Sequence, residues 1–367
     1  MEEFIVSARK YRPSTFLSVV GQQSITATLK NAVKNNQMAH AYLFCGPRGV
    51  GKTTCARIFA KTINCSNITE DFESCNQCDS CLSFNENRSF NIHELDAASN
   101  NSVDDIRQIT DKVRIPPQVG RYSVYIIDEV HMLSQSAFNA FLKTLEEPPK
   151  HAIFILATTE KHKILPTILS RCQIFDFNRI KNSDIADQIK FVAAKEGIQI
   201  EEAGVNIIAQ KADGAMRDAL SIFDQIVSFS GKNVTYQDVI SNLNVLDYDY
   251  YFKLTDCFLK SEISESLLIF NEILENGFDG LHFMTGLNSH FRDLLVCKDA
   301  STIQLLDVGK EVQGKYQIQA NECDYEFLVR AIEIANQCDI NYKTSQNKRL
   351  LVELALIKIG QLNQKKK

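Results

Sequence analysis

Residues 46–53 read GPRGVGKT, a G-x-x-x-x-G-K-[ST] pattern set between the apolar run AYLFC (41–45) and the helical stretch TTCARIFAKTIN (53–64). Nothing else in the chain restricts its fold as much, because the pattern works in one context only: a strand that ends in a glycine loop and turns directly into a helix. The glycines let backbone N–H groups approach phosphate oxygens, and the helix N-terminus favours the anion. Lys52 is placed to reach the β- and γ-phosphates of a nucleoside triphosphate, and Thr53 to offer its hydroxyl to Mg2+. Cys55, Ile58, Phe59 and Ile63 recur at helical spacing behind the loop. The bland reading, a glycine turn with a chance lysine, has the flanking strand and helix against it.

Strand, loop and helix then repeat to about Phe177. NIHELDA (91–97) leads into NSVDDIRQITDKVR (101–114), which carries Ile106, Ile109 and Val113 on one helical face and must stop at IPP. YSVYIIDEV (122–130), HAIFILATT (151–159) and CQIFDF (172–177) read as buried strands, and SQSAFNAFLKTLEEPP (134–149) as an amphipathic helix stopped by Pro148. Apolar strands alternating with helices imply a parallel sheet covered on both faces, an α/β domain over residues 1–178. After Asn178 the strand signals stop. Residues 179–243 read as a small helical bundle, with Ser183 as a helix cap and Gly197 as a helix stop. Residues 244–367 read as a third, all-helical domain ending in a solvated NQKKK tail.

VYIIDE (124–129) ends a strand in two carboxylates, at the end of a parallel sheet where ligands bind. Asp128 is placed to hold the metal and Glu129 to orient or deprotonate an attacking water. A solvated turn is the alternative, weakened by the phosphate loop upstream. LATTE (156–160) ends the next strand in two threonines, a hydroxyl source beside those carboxylates but also common strand residues. ILSRC (168–172) and GAMRDAL (214–220) each carry an arginine that could stabilise phosphoryl charge or simply form a surface salt bridge. Taken alone, the salt bridge is the better reading of both. His131 is read as a structural or positioning residue.

The net charge of −5 does not announce a nucleic-acid binder, and it does not exclude a local basic face. The N-terminus has acidic residues and no apolar segment, so it is not a signal peptide, and no run approaches the ~18 apolar residues of a membrane span. A cytoplasmic chain is expected. Its eleven cysteines then point to metal or buried thiols and away from disulfides. Cys65, Cys75, Cys78 and Cys81 follow C-x9-C-x2-C-x2-C over a hydrophilic loop at about 64–84 with little apolar material to fold by itself. Four thiolates suit a closed, structural zinc site that would supply the missing stability. A redox pair would not need four cysteines, and free clustered thiols would invite oxidation. Because the phosphate loop lies outside this module, its loss is expected to leave nucleotide binding largely intact. Cys45, Cys55 and Cys172 sit in apolar segments and read as core fillers.

ARKYRPSTFLSVVGQ (8–22), HAYLFCGPRGVGKTT (40–54), IDEVHMLSQSAFNAFLKTLEEPP (127–149), ILSRC and GAMRDAL together resemble the gamma/tau family of bacterial DNA polymerase III clamp-loader subunits, which are AAA+ ATPases. The resemblance covers essentially the whole sequence, and the four-cysteine insertion is its most family-specific feature. It implies an AAA+ P-loop domain with a zinc insertion, then a helical lid and a helical collar for oligomerisation. It implies ATP held by Gly46, Pro47, Arg48, Gly49, Val50, Gly51, Lys52, Thr53 and Thr54, with Val20 against the base. Mg2+ would sit at Thr53 and Asp128. Asp128 and Glu129 match the Walker B pair and Thr159 sensor 1. Arg171 matches an arginine finger acting on a neighbouring subunit's ATP, and Arg217 sensor 2, acting on its own. Implied partners are delta- and delta-prime-type subunits, further copies of the chain, the beta sliding clamp and primer-template DNA. The implied activity is ATP-driven opening and loading of the clamp, within a nucleotidyltransferase holoenzyme. Longer tau forms continue into segments that bind helicase and polymerase, whereas this sequence stops at QKKK, as a short gamma-like form or an excised portion would. Two other classes stay open: a different AAA+ machine on nucleic acid, such as a branch-migration motor or helicase loader, and a non-catalytic ATP-binding scaffold. The zinc insertion and helical collar argue against the first, and the complete set Lys52, Asp128, Glu129 and Arg171 against the second.

Overall fold

Five strands, Ala41–Cys45 (β1), Ile92–Asp96 (β2), Ser123–Asp128 (β3), Ala152–Thr158 (β4) and Gln173–Asp176 (β5), form one parallel sheet in the order β2-β3-β4-β1-β5. Every residue of β1 and β4 is buried, which is why both are continuous apolar runs and do not alternate. The computed structural model describes residues 5–117, 120–243, 245–306 and 308–363. Residues 364–367 of the expected tail lie outside them.

Side chains alternate across the strands with a period of two. Tyr42, Phe44, Ile126 and Ile155 pack on one face against the helices Gln23–Lys34 and Lys52–Ile63. Leu43, Ile127, Phe154 and Leu156 pack on the other against Val103–Val113 and Gln135–Glu146. Local chemistry fixes both of these last helices. Ser102 and Asp105 close a capping box at the start of the first, which ends at Val113, ahead of Pro116. Ser134 caps the second by accepting from the Ala137 N–H, and that helix ends at Glu146, two residues before Pro148.

Two local expectations change. Ser183 is not a cap: the helix already begins at Asn182, and the Ser183 hydroxyl donates to Asp184 Oδ1 at 3.3 Å. Strands also do not stop at Asn178, because Gln199–Ile200 pairs in parallel with Asn233–Val234, too short a ladder to leave an apolar pattern. Gly197 does end its helix, at φ 67°.

The chain divides into two compact units, Met1–Glu196 with Ile208–Gln225, and Gly197–Ile207 with Ile226–Lys367. The first contains the sheet. The second has its own core, in which Leu254, Phe258, Phe270, Phe283, Phe291, Leu328 and Leu356 are buried between helices.

Candidate functional site

β1 runs into the phosphate loop, where Gly46, Gly49 and Gly51 all have positive φ. Space as well as dihedral demands glycine at two of them. A Cβ on Gly46 would lie 2.4 Å from the Phe177 carbonyl oxygen, and one on Gly49 2.9 Å from the Ala215 Cβ. Lys52 opens the helix behind the loop and is buried. Its ammonium donates to the carbonyls of Gly46 (2.8 Å) and Pro47 (2.7 Å). Burial lowers its pKa, and the Glu129 and Asp128 carboxylates pull it back up.

The parallel sheet delivers the acidic groups to the same edge. Asp128 is the last residue of β3, and Thr53 Oγ1 donates to its Oδ2 at 2.7 Å. The Glu129 N–H donates to Asp128 Oδ1 at 3.0 Å, from a residue held in the left-handed region at φ 46°. Glu129 Oε2 in turn accepts from Thr159, at 3.0 Å from the hydroxyl and 3.3 Å from the N–H. The buried His131 ring supports the group from behind: Nδ1 lies 3.0 Å from Thr158 Oγ1, and Nε2 lies 3.2 Å from Glu160 Oε2. A hydroxyl and a carboxylate oxygen side by side are a donor pair for a hard divalent cation, so the residues fit Mg2+.

A cleft of about 580 Å³ opens over these groups. Its floor is Arg48, Gly49, Val50, Gly51, Lys52, Thr53 and Thr54, with Asp128 and Glu129 beside them. Val19, Val20 and Ile180 form an apolar wall, and Met216, Arg217 and Leu220 line it from the helix Met216–Ser230. The Arg217 N–H donates to the Gly49 carbonyl at 3.4 Å. Gly46 and Pro47 do not line the cleft; their carbonyls accept from the Lys52 ammonium. Arg171 is apart from it: its guanidinium donates to the Thr167 carbonyl (2.7 Å), Ser170 Oγ (3.3 Å) and Glu146 Oε1 (2.8 Å). The sequence therefore brings Lys52, Thr53, Asp128, Glu129 and Thr159 together and leaves Arg171 elsewhere.

Among the cleft residues that the sequence reading did not name, two are charged groups beside the phosphate loop and the strand-end carboxylates. Arg12 lines the cleft and donates from Nε to Thr54 Oγ1 at 3.3 Å. Partial desolvation and then the neighbouring Arg57 lower its pKa. The RKYRP run marked the segment but not this side chain. Asp96 ends β2 in register with Asp128 and also lines the cleft. A strand-end position was its signal.

The four thiols of Cys65, Cys75, Cys78 and Cys81 converge, with all sulfurs within 4.8 Å of one another. Cys65 Sγ is 3.5 Å from Cys75 Sγ and 3.9 Å from Cys78 Sγ. A tetrahedral zinc with bonds of ~2.3 Å separates its sulfurs by about 3.8 Å, so the cluster fits. The N–H groups of Gln77 and Cys78 point at Cys75 Sγ, 3.5 and 3.3 Å away, and help hold that thiol below its usual pKa. Lys61, buried on the phosphate-loop helix, donates to Asn76 and Asn85 and places a positive charge near the thiols, a feature the sequence did not reveal. Elemental analysis is expected to find one zinc per chain, reduced by replacing any one of the four cysteines. A purified chain without zinc would remove the assignment. By contrast, burial pushes Cys45 up to about 11 and Cys55 and Cys172 up to about 12, as core thiols behave. Among the described residues, no helix is long and apolar enough to cross a membrane.

The chain is similar to known proteins. A family profile described as DNA polymerase III, delta subunit, matches residues 21–181, and one described as DNA polymerase III clamp loader subunit, ATPase lid domain, matches 184–232. DNA polymerase III subunit tau of Bacillus subtilis is 44% identical over 353 residues, 96% of this chain and 62% of that protein. DNA polymerase III subunit gamma of Buchnera aphidicola is 33% identical over 362 residues, 98% of each chain. The chain thus spans under two thirds of the tau relative and nearly all of the gamma relative. The Thermotoga maritima RuvB Holliday junction branch migration motor resembles 68% of this chain and 79% of that chain at 19% identity and a TM-score of 0.47, too distant a likeness to bear on function. With a gamma-subunit relative matched over 98% of both chains and a clamp-loader lid profile over residues 184–232, the chain belongs to the gamma/tau family of DNA polymerase III clamp-loader subunits.

Proposed function

We propose that this chain is an ATPase subunit of a DNA polymerase III clamp loader, which uses ATP to open the sliding clamp and load it on primed DNA in the cytoplasm. The observation that carries the reading is the Thr53–Asp128 contact at 2.7 Å, with Glu129 held by Thr159 at the same strand ends. Residues distant in sequence meet where a triphosphate and its metal would sit.

Each side chain has a task in this reading. The loop N–H groups and Lys52 bind the β- and γ-phosphates, and Val20 with the apolar wall takes the base. Thr53 and Asp128 hold Mg2+, which when bound neutralises charge on the phosphate oxygens. Glu129 accepts a proton from the attacking water, and Thr159 fixes its carboxylate. Arg217 reads the γ-phosphate of its own chain and Arg171 that of a neighbour. ATP can drive a switch only by binding one arrangement better than another, and two arginines on separate bodies supply that difference. The division into an ATPase domain (1–178), lid (179–243) and oligomerising collar (244–367) belongs to this proposal. So do a structural zinc, delta- and delta-prime-type partners, further copies of the chain, the beta clamp, and membership of a nucleotidyltransferase holoenzyme. DNA would be held by its phosphates and shape, without sequence readout.

The test is ATP hydrolysis by the assembled complex. Stimulation is expected only when clamp and primed DNA are both present. Hydrolysis indifferent to the clamp would favour another AAA+ machine, and bound ATP without hydrolysis a scaffold.

A further inference from the structure

We propose that the four-cysteine module braces the apolar wall of the nucleotide cleft through Glu73, so that metal occupancy helps set nucleotide affinity. The proposal rests on the nucleotide and zinc readings above and makes Glu73 a positioning residue.

Glu73 lies in the loop between Cys65 and Cys75, yet it is 8% exposed. Its carboxylate leaves its own module. Oε2 accepts from the Phe16 N–H at 2.8 Å, and Oε1 from the Leu17 N–H at 3.1 Å and the Lys30 ammonium at 2.8 Å. One buried carboxylate therefore ties a turn of the N-terminal segment to the helix Gln23–Lys34. Charge-assisted bonds of this kind are the strong ones, and they weigh more where water is excluded. The same turn continues into the cleft wall: the Val19 N–H donates to the Phe16 carbonyl at 3.2 Å, Phe16 and Val19 are buried together, and Val19 and Val20 line the cleft.

Glu73 is held from behind by the metal loop. Its N–H donates to Thr69 Oγ1 at 3.1 Å, and its carbonyl accepts from the Thr69 N–H at 3.0 Å. Phe72 and Asn76, either side of it, are both left-handed, at φ 56° and 58°. Asparagine adopts that conformation readily, but a bulky residue such as Phe72 keeps it only where its surroundings impose it. Here the anchors are the cysteines themselves, with Cys75 two residues from Glu73. Released thiols would free the loop, the carboxylate would lose its aim, and the turn carrying Val19 and Val20 would lose its main polar tie. This departs from the expectation that the module is dispensable for nucleotide binding.

Because the brace acts on the apolar wall and not on the phosphate loop, its loss has a signature. In the chain with its zinc, Glu73→Ala is expected to weaken binding of ribose-labelled ADP and ATP alike, by roughly tenfold. Competition by inorganic tripolyphosphate should be unchanged, and zinc content should stay at one. Lys30→Met, which leaves the two N–H bonds, should cause a smaller loss, and Glu70→Ala on the exposed part of the loop none. Stripping zinc with a chelator should reproduce the loss in the parent, reversibly on adding zinc, and add little to Glu73→Ala. Parent-like nucleotide affinity in zinc-loaded Glu73→Ala would overturn the proposal, as would an equal loss of tripolyphosphate binding. If Glu73→Ala fails to fold, unchanged affinity in both Lys30→Met and the zinc-stripped parent overturns it. A parent chain that binds no nucleotide would instead defeat the underlying functional reading.

Discussion

An E129Q chain is expected to bind ATP as its parent does and to hydrolyse it roughly 10²–10⁴-fold more slowly, the usual worth of a positioned general base. The amide matches the carboxylate in size, and its oxygen can still accept from the Thr159 hydroxyl, now at 3.0 Å from Glu129 Oε2. What it cannot do is take a proton from water. The K52A chain should behave in the opposite way. Its lost ammonium is the donor now resting on the Gly46 and Pro47 carbonyls, and it is placed to move onto phosphate oxygens. A hydrogen bond to a charged group contributes about 1.5–3 kcal/mol, so ATP affinity should fall by roughly ten- to a hundredfold. Equilibrium binding and single-turnover hydrolysis on both chains separate the two effects. Parent-rate hydrolysis by E129Q would move the base elsewhere, and Asp96 is the next carboxylate lining the cleft.

The parts of this site legible in the sequence are those written in consecutive residues. The phosphate loop, the DE pair after VYII and the TT after FILA each sit at the end of a doubly buried strand, and such strands announce themselves as unbroken apolar runs. β2 does not, because it is the sheet edge: in IHELD only Ile92 is buried, and the strand carries His93 and Glu94 toward partly open surroundings. Asp96 was missed with it. Strand order is equally silent in the sequence: the motifs paired Thr53 with Asp128 through a shared metal, but not through the arrangement β2-β3-β4-β1-β5 that brings them to 2.7 Å. Short-range errors had short-range causes. Ser183 and Asn182 are both capping residue types, yet the helix already contains both, a shift of one or two positions that the sequence does not fix.

Glu73 shows the harder limit. A glutamate in SNITEDFES looks solvated, since buried carboxylates are rare without partners. Its partners are two backbone N–H groups and a lysine some 43 to 57 positions away, and backbone donors carry no sequence signal. Arg12 is similar, being one of several cations in RKYR and distinguished only by what the fold puts opposite it.

Arg171 is expected to matter only in the assembled complex. Its loss should leave ATP binding by the isolated chain intact and cut hydrolysis by the complex by roughly 10³–10⁵, the value of an arginine finger in other nucleotide hydrolases. The guanidinium does not line its own chain's cleft; it sits just before β5, the edge strand of the sheet, and is held by Glu146 and the Thr167 carbonyl. That geometry also describes an ordinary surface salt bridge, whose removal costs at most about 1 kcal/mol of stability and leaves catalysis alone. The two readings differ in rate by orders of magnitude. They differ again in a mixing experiment. R171A and K52A chains should each give inactive complexes, one lacking the arginine supplied to a neighbour and the other lacking a working phosphate loop. Combined, they should recover hydrolysis at interfaces that pair an intact loop with an intact arginine. Confirmed mixed assembly with no recovery would place Arg171 outside the neighbour's reaction. E146Q should then discriminate further: if the ion pair only aims the guanidinium, hydrolysis falls far less than in R171A, whereas a purely structural pair makes the two variants alike in stability and both near the parent in rate.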